Sequence, residues 1–107
     1  MSKPEVITYA DIPKAVNILG QIFKVELRDL PSSEYGETRG YEKLIIINRK
    51  QPKSTALHTL FHECIHAALH VSGHTSTLKH NQEESLVMML EAAFGDCIDI
   101  TVLGDMK

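Results

Sequence analysis

Residues 44–47 read Leu-Ile-Ile-Ile, and nine positions later, from Ala56, apolar side chains begin to recur every three or four residues. A run of four β-prone side chains needs cover on both faces, or on one face with the other kept as a binding surface. The stretch from Thr55 to Ser72 supplies such cover, with Ala56, Leu57, Leu60, Phe61, Cys64, Ile65, Ala68 and Leu69 at helical spacing. Ser54 is placed to cap this helix and Gly73 to stop it. A covered strand and an amphipathic helix, joined by the short break "KQPKS", imply a small α+β domain.

The rest of the chain is read around that pair. "ADIPKAVNILGQIF" suggests a short helix, with Asp11 as its cap, Pro13 in its first turn and Gly20 at its end. "QIFKVELRDL" alternates apolar and polar side chains as a strand does, and a short strand is expected around Tyr35 to Arg39. After the polar linker "HTSTLKHN", a last helix is expected from about Gln82 to Cys97. Its apolar stripe would be Leu86, Val87, Leu90, Ala93, Phe94 and Cys97. The tail "DITVLGDMK" fits either a helix end or a strand. The expected fold is a short antiparallel or mixed sheet of about three strands, with the helices packed on one face. With 107 residues, positions 1–107 make one domain.

Composition narrows the function classes. A hydrophobic share of 43% and a charged share of 23% suit a globular protein, and a net charge of −3 offers no footprint for nucleic acid or an anionic membrane. No apolar run reaches the ~20 residues of a membrane span, and "MSKPEVITYADIPK" lacks the core of a secretory signal. Cys64 and Cys97 are not spaced as a Cys-x-x-Cys site and are expected to be reduced. These readings point to the cytoplasm.

Five of the six histidines, at 58, 62, 66, 70 and 74, are spaced four residues apart. Each step turns ~40° around a helix and rises ~6 Å, so neighbours converge on one point but the whole row does not. Only His62 is followed by an acid, giving His62-Glu63-Cys64-Ile65-His66, the H-E-x-x-H pattern. Two imidazoles one turn apart supply two ligands to zinc, while Glu63, rotated from them, reaches the attacking water as general base. His58, His70 and His74 are read as structural, supporting or solvent-facing, and His80 as a surface residue. The metzincin extension needs a glycine at 69 and a histidine at 72, where this chain has Leu69 and Ser72.

A catalytic zinc usually takes three protein ligands. The last helix begins "NQEES", and its phase puts Glu83 near the centre of the apolar stripe and Glu84 at its edge, beside Glu91. A carboxylate facing a core is costly unless it is paired or on a metal, which favours Glu83, with Glu84 a close rival. Manganese or iron also suits two histidines and a carboxylate. Tyr35, Tyr41, His74 and His80 are candidate donors to an oxyanion, and "EKLIIIN" is a candidate edge for adding a substrate strand.

The stretch "LIIINRKQPKSTALHTLFHECIHAALH" resembles the ImmA/IrrE-type metallopeptidases, zincin-like proteins common in phages and mobile elements. Ile47-Asn48 fits the family's strand end, and His62, Glu63, His66, Leu69 and His70 fit its helix. The family's third ligand is a glutamate opening the next helix, the place held here by Glu83-Glu84. The resemblance spans about residues 41 to 97. It implies a zinc-dependent endopeptidase whose protein or peptide substrate is often a repressor or regulator. Two features depart from the family: Cys64 and Ile65 replace its small residues, and Glu84-Ser85-Leu86 replaces Glu-Ala-Asn. A zincin fold kept only to sequester a protein partner is the alternative, and a purely structural zinc site is a weaker one.

Overall fold

The computed structural model describes residues 6–94. Their elements, in chain order, are β1 (Ala15–Ile18), β2 (Gln21–Arg28), β3 (Gly36–Arg39), β4 (Leu44–Asn48), α1 (Lys53–Val71), a 3-10 turn (His74–Ser76) and α2 (His80–Phe94). The strands form one mixed sheet in the order β1-β2-β4-β3. β1 and β2 are antiparallel, β2 and β4 parallel, and β3 and β4 antiparallel. The α+β class and the mixed sheet are as expected, and the strand count is four rather than about three. Cys97 and the segment 99–107 lie outside the described residues.

The extra strand comes from the segment expected to be a short helix. Ile12 and Val16 stand four residues apart and imitate a helical face, but Val16 and Ile18 point together into the core from β1. Leu19 and Gly20, at φ 50° and 87°, form the two-residue loop that joins β1 to β2. Two positive φ angles in succession match the twist of a tight hairpin, so Gly20 serves a hairpin rather than a helix end. Asn17 Oδ1 accepts the Gly20 N–H at 2.8 Å and closes the loop.

β4 is buried along its whole length. Ile45 and Ile47 join Val16, Ile18, Phe23 and Val25 on the face that meets Ala56, Leu60, Cys64 and Ala67 of α1. Because β4 pairs with β2 on one side and β3 on the other, it has no free edge. The expectation of a substrate strand along "EKLIIIN" is therefore corrected. Among the described residues, β3 is the edge strand beside α1.

Asn48 and Gln51, both buried, tie the β2–β3 connection to the start of α1. Asn48 Nδ2 donates to the Glu34 carbonyl at 2.8 Å, and Asn48 Oδ1 accepts from the Lys50 N–H at 3.1 Å. Gln51 Nε2 donates to the carbonyls of Tyr35 and Asn48, and its Oε1 accepts from the Thr59 hydroxyl. α1 opens at Pro52, whose carbonyl accepts the Ala56 N–H at 2.9 Å. Ser54 is thus inside the helix and is not its cap, because Pro52, with its fixed φ, already sets the extended entry two residues earlier. Gly73, at φ 84°, ends α1 as expected.

α2 starts two residues before the expected Gln82. Gln82 Oε1 accepts the Lys79 N–H at 3.0 Å, the reciprocal half of a capping box. Of the expected stripe, Val87 is fully buried, Leu86 and Leu90 are half-buried and Ala93 is exposed. The face that α2 turns to α1 carries Glu83, Glu84 and Glu91 around the buried Val87, in line with the helical phase read from the sequence.

Candidate metal centre

The helical drift of the histidine row sorts its members. His58 points to solvent along the cleft, His62 and His66 face α2, and His70 turns to the β3–β4 connection. His62 and His66 have ring centroids 5.0 Å apart. His70 packs edge-on against Tyr41 at 4.7 Å, and its ring occupies the space a Cβ on Gly40 would need. It is held against the β3–β4 connection and stands outside the group formed by His62, His66 and Glu84. His74 is exposed, with its Nδ1 2.8 Å from the Ser72 hydroxyl.

Among the described residues, one group brings three metal-type donor atoms within 4.8 Å of one another: His62, His66 and Glu84. His66 Nε2 lies 3.1 Å from one Glu84 oxygen, and His62 Nε2 lies 4.0 Å from the other. Tetrahedral ligands ~2.1 Å from a zinc stand about 3.4 Å apart, so these separations fit a shared cation after small side-chain adjustments. Glu83 faces elsewhere. Its Oε2 lies 2.5 Å from His66 Nδ1, on the far side of that ring from Glu84. Glu91 Oε2 stands likewise 2.7 Å from His62 Nδ1. Of the two rival glutamates, the geometry groups Glu84 with the Nε2 atoms and gives Glu83 to a ring's other nitrogen.

Glu63 stays out of the donor group and points towards β3. Its Oε1 lies 2.7 Å from the Thr38 hydroxyl, which also approaches the Glu63 carbonyl at 3.0 Å. Burial pushes the Glu63 carboxyl above the usual carboxylate range, against the opposing pull of the Thr38 hydrogen bond and the two imidazoles. Gly36 permits this close approach. A Cβ there would come 2.8 Å from Thr59 Cγ2, 2.9 Å from the Ile46 carbonyl and 3.4 Å from Glu63 Cγ.

The site opens to solvent through a cleft between β3, α1 and the first turns of α2. One arm, of about 410 Å³, runs past Gly40, His70 and Glu83. The other, of about 870 Å³, runs past Tyr35, His58 and Glu91. Among the described residues neither arm is lined by a lysine or arginine, while Glu37, Glu63 and Glu84 border both. Of the four oxyanion candidates, Tyr35 and His80 border the cleft, whereas Tyr41 and His74 do not.

Thr38, Gly36 and Glu91 were not singled out in the sequence as parts of a site. Glu91 carried a signal, since it follows Glu84 by seven residues and so shares its helix face. Thr38 carried none, because its partner is 25 residues away across the β3–α1 packing. Comparison with protein-family models, with curated proteins and with solved structures finds no match to this chain.

Proposed function

We propose that the chain is a small metal-dependent peptidase of the zincin kind, akin to the ImmA/IrrE-type proteins it resembles over residues 41–97. The observation that carries this reading is the convergence of His62, His66 and Glu84, with a buried carboxylate, Glu63, beside them. Glu63 and Glu84 stand together in the cleft with imidazoles as their basic neighbours, and a cation shared by the imidazole nitrogens and Glu84 would offset the repulsion between the two carboxylates. The donor set, two nitrogens and one oxygen with an open side, suits zinc.

A divalent cation held there would supply Lewis acidity towards water and towards a peptide carbonyl. The chain's own residues supply the rest. Glu63, fixed through one oxygen by Thr38, keeps its second oxygen free to take a proton from the attacking water and pass it to the leaving amine. The edge of β3 borders both arms of the cleft, so an extended peptide paired with residues 36–39 would lie across the site. Tyr35 and His80 stand at the rim as donors to a developing oxyanion. The substrate class is a protein or peptide, of which a regulator or repressor is the form the resemblance suggests, and the site of action is the cytoplasm.

The test is hydrolysis of denatured casein and of a quenched-fluorescent peptide library by zinc-loaded protein, against Glu63→Gln. Wild type should cleave, and Glu63→Gln should keep its zinc while losing about 10²–10⁴-fold in rate. Zinc-loaded wild type that cleaves nothing, or a Glu63→Gln variant that cleaves as well, would leave the partner-sequestering reading in its place.

A further inference from the structure

α2 brings three carboxylates to α1, and only one of them stands with the Nε2 atoms. Glu83, Glu84, Val87 and Glu91 lie on one face of the helix, and Val87 is the fully buried member. The other two acids reach past the donor group to the far nitrogens of the rings. His62 Nδ1 lies 2.7 Å from Glu91, and His66 Nδ1 lies 2.5 Å from Glu83. An ionised carboxylate only accepts hydrogen bonds, so each ring must carry its proton on Nδ1 to make this contact. A neutral ring protonated there has its lone pair on Nε2, the nitrogen turned to Glu84.

We propose that Glu91 and Glu83 are positioning residues, one for each imidazole: Glu91 holds His62, and Glu83 holds His66, with Nε2 presented to a cation shared with Glu84. This rests on the cation site proposed above. α2 is then more than the source of a third ligand. It sets tautomer and ring orientation for both histidines, although they belong to another helix. Charge-assisted contacts of this kind also raise the basicity of the ligating nitrogen. The pairing is specific, so each glutamate should act on its own ring and not on the other.

The experiment compares wild type with Glu91→Ala, Glu91→Gln, Glu83→Ala and Glu83→Gln. Zinc affinity is read by competition with a chromophoric chelator. The ring N–H protons of the zinc-loaded proteins are read by ¹H–¹⁵N NMR, and folding by far-UV circular dichroism. Wild type should show slowly exchanging Nδ1–H signals from both histidines. Each alanine variant should lose about 10–100-fold in zinc affinity, together with the signal of its own partner ring only. Each glutamine variant, which keeps an acceptor oxygen and the side-chain volume, should recover most of both. Alanine variants that keep wild-type affinity and both ring signals would overturn the proposal, as would glutamine variants no better than alanine. Wild type that takes up no zinc would instead overturn the cation site itself. The two failures are thus distinguishable.

Discussion

At Gly36 the backbone of β3 comes so close to α1 that a single methyl group has nowhere to go. One of its neighbours would be a backbone carbonyl of β4, which cannot rotate away as a side chain can. Gly36→Ala should therefore destabilise the protein by about 1–3 kcal/mol in urea denaturation, the usual cost of overpacking. A change below about 0.5 kcal/mol would show that β3 moves freely off the helix. Next to Glu63 on α1, Cys64 is buried among the core residues, and burial pushes its thiol up to about 12. Its thiolate is then scarce at neutral pH. Iodoacetamide at pH 8 should leave Cys64 unmodified in the folded protein and alkylate it in denaturant, as read by peptide mapping. Fast labelling of the native protein would contradict its placement. The pairing of His62 with His66 was legible because it is local, one turn apart on one helix. The partners of Glu63 and His62 were not legible, because Thr38 and Glu91 meet them only through tertiary packing.

Among the elements, β2, β3, β4 and both helices were legible in the sequence, and β1 was not. β2, β4 and α1 have enough residues for their periods to show. β1 has four residues, and Ile12 and Val16 before and within it mimic a helix turn, so the alternation of Val16 and Ile18 was outweighed. The α1 entry teaches the same lesson about caps. Ser54 has the favoured chemistry, yet Pro52 takes the position and Gln51 makes the buried contacts. Two substitutions separate these roles. Ser54→Ala should change stability by no more than about 0.5 kcal/mol. Asn48→Ala removes the buried side chain that bonds part-buried backbone groups of Leu30 and Glu34 in the β2–β3 connection, and should cost about 1–3 kcal/mol. Equal effects in thermal or urea denaturation would contradict the assignment of that loop's anchor. The anchor matters for the site because residues 34 and 35 lead directly into β3, whose Thr38 holds Glu63.

Across the whole molecule, the sheet serves as a platform and the site lies at its β3 edge, under two helices. The parallel pairing of β2 with β4 sends the chain out to β3 and back, which buries the most apolar strand and leaves the shorter, polar one at the edge. α2 sets three carboxylates against the imidazoles of α1, so its docking and a bound cation should support each other. Zinc at 100 times its Kd should then raise the unfolding free energy by about 2.7 kcal/mol, and a chelator should reverse the gain. The most direct test of the whole account is the metal content of untagged protein by mass spectrometry, for wild type, His62→Ala, Glu84→Ala and Glu83→Ala. The account predicts about one zinc per wild-type chain, none with His62→Ala or Glu84→Ala, and a weakened but detectable level with Glu83→Ala. Wild-type protein without metal, and unable to take up added zinc, would contradict it.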